Sequence, residues 1–257
     1  MAKKKRISKH ERSRRQWEQE RDQYKEFQRI APTYKAHLKK HGCDLPFYDY
    51  IDSYTHEFAR IKEEALKKHP SLLGIHEVSG EVYHNLEHSW NDLGYGHLNQ
   101  VFYDIGADVS DYGQNSLDAN LQGSAITFVS DDGETYTAIF IKKDIRCSFR
   151  LAEYKYTLKI PALLHELGHV TDIEQGKNFD VPNKRANIIE AEVFAHLFAL
   201  EQLATRCLTA SYRMLYEGLE DAIPKGGYLA QVAELVLQRA PEHNPIDWQR
   251  LDIPLPV

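Results

Sequence analysis

The pentapeptide His165-Glu166-Leu167-Gly168-His169 lies in an apolar run, with Ile160-Pro161-Ala162-Leu163-Leu164 before it and Val170 after it. On a helix, residues four apart sit one above the other, so His165 and His169 aim their imidazoles at a single point. A zinc ion suits that point. Glu166, turned by about a hundred degrees from His165, can reach a metal-bound water without ligating the metal, where an HExxH arrangement places its general base. Pro161 falls where a first helical turn tolerates a missing N–H, and Gly176 falls where a C-terminal cap is expected. Together they predict a helix over about 158–174 with the motif in its middle.

A catalytic zinc takes three protein ligands and keeps a fourth position for water. After the turn-like Gly176-Lys177-Asn178-Phe179-Asp180-Val181-Pro182-Asn183 comes a stretch that is apolar nearly all round, Ile188-Ile189-Glu190-Ala191-Glu192-Val193-Phe194-Ala195-His196-Leu197-Phe198-Ala199-Leu200. Such a helix is buried, and a carboxylate in it needs a partner or a metal. Glu190 and Glu192 point to nearly opposite faces, so only one can meet the zinc. Glu192 has His196 four residues on as a local partner, whereas Glu190 is flanked on its face by Val193, Phe194 and Leu197. Glu190 is therefore the expected third ligand, with Glu192 and His196 as a supporting pair.

The combination of His165-Glu166-Leu167-Gly168-His169 with Glu190-Ala191-Glu192-Val193-Phe194-Ala195 resembles the ImmA/IrrE-type metallopeptidases, whose HExGH motif is followed by a Glu-Ala-x-x-Phe-Ala helix. The resemblance covers roughly residues 120–205. It implies zinc on His165, His169 and Glu190, with Glu166 as catalytic base. It also implies an α+β, mostly helical, zincin-like fold with a small antiparallel sheet before the HExxH helix. That family often carries a helix-turn-helix or a regulatory module, for which this sequence shows no counterpart. The longer metzincin motif would require Gly and His where this chain has Asp172 and Gln175.

A chain of 257 residues with 42% hydrophobic content can build a substantial core. No early apolar run marks a signal peptide and no stretch has the length of a transmembrane helix, which predicts a soluble protein. Cys43, Cys147 and Cys207 form neither CxxC spacing nor an even disulfide framework, and a reducing cytoplasm is the simplest reading. Charge is unevenly placed. Residues 1–40 hold 14 Lys/Arg against 5 Asp/Glu, a net +9, and the remainder holds 18 against 33, a net −15. A basic arm on an acidic body can bind nucleic acid or an acidic partner, fold back on its own body, or serve as a solvated tail. Residues 1–42 are accordingly read as a basic, charged helical arm, and 43–257 as the catalytic domain with its core over 120–205.

Within the arm, residues 8–41 read as charged helix broken at Pro32, with Trp17, Tyr24 and Phe27 near helical spacing. Phe47 to Lys68 reads as an amphipathic helix stopped by Pro70. The stretch 74–97 is rich in histidine. His84 and His88, with Glu87 nearby, could share a second metal if helical. Trp90, Tyr95, Tyr103 and Tyr112 are candidates for a cleft wall or for packing. Ala125–Val129 and Thr135–Ile141 are rich in β-branched and aromatic residues and flank the turn chemistry of Ser130-Asp131-Asp132-Gly133-Glu134, which predicts a hairpin. Its edge strand could align an extended substrate by backbone pairing. Ser211–Ile223 and Tyr228–Arg239 read as further helices, and the proline-rich tail from Pro241 as irregular chain.

These features lead to the expectation of a zinc-dependent peptidase acting on a protein or peptide. Glu166 would move the proton and the zinc would activate water. The developing oxyanion needs a further donor, for which Tyr154, Tyr156, His196, Tyr212 and Tyr228 are candidates. Asp172, one turn after His169, could orient a ligand imidazole. The alternative is a protein that binds nucleic acid or a partner through its basic arm on a non-catalytic scaffold.

Overall fold

The computed structural model describes residues 52–79, 92–102, 123–143, 155–206 and 208–240, with Arg14, Arg15 and Glu18 of the N-terminal arm. The rest of the arm, His84, Glu87, His88, Trp90, Tyr103, Tyr112, Tyr154 and the tail from Pro241 lie outside the described residues, so the readings made there are untouched.

The strand Thr135-Tyr136-Thr137-Ala138-Ile139-Phe140-Ile141-Lys142 (β4) is apolar on both faces and sits at the centre of a four-stranded sheet. Side chains alternate across a strand. Ile139 and Ile141 therefore join the main core under the helices, while Ala138 and Phe140 join a smaller cluster with Tyr95 and Phe128. β1 (Leu72–Val78) pairs with β4 in parallel. β3 (Gly123–Val129) pairs with β4 as the antiparallel hairpin read from sequence. β2 (Asn99–Gln100) covers only the Phe128–Val129 end of β3.

The sheet is therefore mixed, and the expected small antiparallel sheet is corrected by β1. That strand carries a glycine, a histidine and a glutamate, and so lacks the alternation that marks a half-buried strand. Its place is fixed by tertiary contacts. Lys159, itself buried, donates to Glu77 at 2.7 Å and ties β1 to the first turns of the motif helix.

Among the described residues five α-helices and one 3-10 turn pack over the main face. α1 (Asp52–Lys68) buries Tyr54, Phe58, Ile61 and Ala65, one stripe at helical spacing. α2 (Lys155–Gln175) carries the pentapeptide and buries Ile160, Leu163, Leu164 and Leu167 against the sheet. It begins three residues earlier than expected, so Pro161 lies inside the helix and has no N–H for the carbonyl of Thr157. A short hairpin, β5 (Phe179–Asp180) and β6 (Arg185–Ala186), leads to α3 (Ile188–Thr205). α4 (Thr209–Ala222), a 3-10 turn (Ile223–Lys225) and α5 (Gly227–Arg239) close the core from outside.

Two polar ties fix this frame. Glu57, fully buried, receives Arg60 at 2.7 Å and Arg206 at 2.9 Å, and Arg206 also reaches Glu64 at 2.6 Å, joining α1 to the end of α3. Glu174, near the end of α2, accepts Ser71 and pairs with the buried His69 at 2.7 Å. Among the described residues no helix is long and apolar enough to cross a membrane.

Candidate metal centre

α2 and α3 cross at Gly168. A Cβ built there would lie 2.6 Å from the Cα of Ala195, so only glycine admits this approach. The crossing brings four side chains together, His165 and His169 from α2 with Glu192 and His196 from α3, each pair one helical turn apart.

His165, His169 and Glu192 converge, the only such group of three or more among the described residues. The two Nε2 atoms are 3.1 Å apart, His165 Nε2 is 3.3 Å from Glu192 Oε2, and His169 Nε2 is 3.5 Å from Glu192 Oε1. A tetrahedral zinc with bonds of about 2.0–2.1 Å spaces its donors by about 3.3–3.4 Å. The three approaches lie near that spacing, Glu192 offering a different carboxylate oxygen to each histidine, and two imidazoles with a carboxylate form a donor set that zinc accepts.

The expected ligand Glu190 is not in this group. Its carboxylate is half-exposed and takes both guanidinium nitrogens of Arg239, at 2.9 and 3.1 Å, which clamps the start of α3 to α5. That pairing holds Glu190 below the usual carboxylate range. Glu192 occupies the place assigned to Glu190. His196, four residues on from Glu192, is the local partner that the sequence offers it. The structure instead sets the His196 ring against His165, with centroids 4.3 Å apart and a tilt of 52°. No i, i+4 pattern reveals which face of an all-apolar helix meets α2. The signal that could have found it is Asn187, whose side chain caps α3 by accepting from the Glu190 N–H and so puts Glu190 in the exposed first turn.

Glu166 is buried beside the triad. Its Cγ and Oε1 would lie 2.9 and 3.0 Å from a Cβ at position 123, so Gly123 of β3 makes room for it. Burial raises the Glu166 carboxyl, Glu192 adds to that, and the charges of His165 and His169 and a hydrogen bond from the Ala125 backbone oppose it; the net direction is upward. Burial also pushes Glu192 up, but the charge of His169 and hydrogen bonds from both histidines outweigh it and hold Glu192 well below its ordinary range. For His169 burial acts downward, yet Glu192, Glu166 and Asp172 lift the imidazole to about 9. His196 goes the other way, pushed to about 3 by burial and by the neighbouring His165 charge.

The other sequence candidates separate clearly. Asp172, fully buried, makes no hydrogen bond to a ligand imidazole. It accepts three from Asn178, at 2.9–3.3 Å, and so fixes the turn that sends the chain into β5. The outer Nδ1 atoms of His165 and His169 are buried without a hydrogen-bond partner, so among the described residues no acceptor orients the rings in the way usual for zinc ligands. Tyr212 is buried and stacked on Tyr216, and Tyr228 donates to the Ile188 carbonyl at 3.4 Å. Of the proposed oxyanion donors whose side chains are described, His196 alone adjoins the triad. Phe179 edges the His169 ring at 6.2 Å and also lines a cavity of about 810 Å³ between the end of α2 and the β5–β6 hairpin.

Compared with protein-family models, curated proteins and solved structures, the chain matches none.

Proposed function

We propose that the chain is a zinc-dependent peptidase whose metal is held by His165, His169 and Glu192. The observation that carries this reading is the convergence of His165, His169 and Glu192, with approaches of 3.1–3.5 Å between the two Nε2 atoms and from each to a Glu192 oxygen, next to a buried carboxylate that is not one of the donors. Zinc bound there supplies a Lewis acid that polarises a carbonyl and acidifies water. Glu166, with its proton affinity raised by burial, takes a proton at its carboxylate and delivers it to the leaving amine. The resemblance to the ImmA/IrrE-type metallopeptidases belongs to the same reading, with the ligand role moved from Glu190 to Glu192.

Two features favour a peptide as substrate. Within the described residues β2 pairs only with Phe128 and Val129, and Val101 donates to the Thr127 carbonyl. The start of β3 lies next to Glu166, so a peptide extended alongside β3 would carry its scissile bond to the centre. The cavity shared with Phe179 has room for side chains of such a segment.

Zinc content after dialysis tests the assignment. Wild type and Glu190→Ala are expected to hold about one zinc per chain, and His165→Ala and Glu192→Ala to hold almost none. Retention in Glu192→Ala with loss in Glu190→Ala would overturn the ligand set. A folded wild type without zinc would overturn the peptidase reading altogether. Glu166→Gln is expected to keep the metal while losing cleavage of an unfolded protein substrate such as casein by a factor of at least about 100.

A further inference from the structure

Three imidazoles surround this centre, and only two of them belong to the donor group. The third, His196, sits one turn beyond Glu192 on α3, its ring alongside that of His165. A ring that served only to pack would gain by being phenylalanine, because a buried polar atom without a partner is costly. His196 bears that cost, since its Nδ1 is buried and makes no hydrogen bond.

A neutral imidazole has one N–H and one lone pair. With Nδ1 buried and unpartnered, protonating it would strand a donor, so the proton belongs on Nε2 at the outer end of the side chain. Glu166 approaches the centre from the β3 side, where Gly123 and Ala125 receive it, while His196 approaches from α3. The donor group thus has a buried carboxylate, Glu166 of α2, and a third imidazole, His196 of α3, as neighbours.

We propose that His196 is a catalytic residue of this centre, donating its Nε2–H to the oxygen on which negative charge develops during attack on a substrate carbonyl. The ring is held in place by its tilted contact with His165, and a donor fixed in this way needs no reorientation as the charge forms. This rests on the metal-centre reading above and adds one residue to it.

The test uses the zinc-loaded full chain and acetohydroxamate, whose oxygens bind zinc and accept hydrogen bonds, with affinity read by calorimetry. Zinc content and thermal unfolding are measured alongside. His196→Ala is expected to keep one zinc and to bind acetohydroxamate about ten- to a hundredfold more weakly. His196→Gln, whose amide N–H reaches close to the Nε2 position, is expected to recover most of that loss. Proton NMR of wild type gives an independent reading that needs no variant: a ring N–H resonance of His196 should become protected and move downfield when acetohydroxamate binds.

Unchanged affinity in His196→Ala, an equal loss in His196→Gln and His196→Ala, or an unmoved ring resonance would each overturn the proposal. Loss of zinc in His196→Ala would overturn it by making His196 a ligand. Wild type that takes up no zinc would remove the underlying reading as well, whereas zinc uptake with an indifferent His196 would remove this inference alone.

Discussion

His169 and Glu192 form a partly buried ion pair. The His169 imidazole is lifted to about 9, against about 6.5 in an unfolded chain. The raised value means that the pair's stabilisation is complete below pH 6.5 and is lost as pH rises through about 9. Zinc bound there would displace that proton, because only the neutral imidazole ligates. Zinc uptake at pH 7.5 should therefore release about one proton per chain, and affinity should climb with pH towards about 9. Calorimetric titrations in two buffers of different ionisation enthalpy measure the released proton directly. No buffer dependence would show that His169 is already neutral and that the pair is weaker than its geometry implies. His196 shifts in the opposite sense, so the stability it contributes is present above pH 6.5 and is lost as pH falls towards about 3.

At the scale of elements, the contact between α2 and α3 depends on the missing side chain of Gly168. Gly168→Val would push against the Ala195 backbone, which cannot move as a flexible side chain can. Overpacking of this kind costs about 1–3 kcal/mol, and helix separation should weaken zinc binding by at least about tenfold. Chemical denaturation and zinc titration of the variant measure both; a stable variant with normal affinity would mean that the helices slide apart without disturbing the donors.

The same contact explains what could be read from the sequence. The helices, the 123–142 hairpin and the His165–Glu166–His169 face follow from local periodicity, which the chain states plainly. β1 does not, because a parallel strand at the edge of the sheet takes its place from neighbours distant in sequence, here Thr137–Lys142 of β4 and Lys159 of α2. The choice between Glu190 and Glu192 was equally hidden. It depends on where Arg239, 49 residues beyond Glu190, arrives in the fold, and on which face of an almost uniformly apolar helix turns to Gly168. Local pattern fixes that a carboxylate must find a partner, and tertiary packing decides which partner it finds.

Across the whole molecule, the donors come from two helices that also carry the main core. α2 contributes Leu163, Leu164 and Val170, and α3 contributes Val193, Leu200 and Leu203. The unfolded chain cannot hold His165, His169 and Glu192 in one place, so metal that binds the folded state stabilises all of it. With free zinc at about a thousand times its dissociation constant the gain is about 4 kcal/mol. In a domain of this size that raises the unfolding midpoint by about 8–16 °C. Scanning calorimetry with zinc and with chelator should show this shift in wild type and in Glu190→Ala, but not in Glu192→Ala. The Glu190→Ala result also separates the two roles of α3. Removing the exposed Arg239 pair should lower the midpoint slightly in both conditions, by the cost of about 0–1 kcal/mol usual for a surface ion pair, while leaving the zinc-dependent increment intact. An increment that vanished with Glu190 would place the metal at the outer end of α3 and dissolve the link between this centre and the α2–α3 crossing.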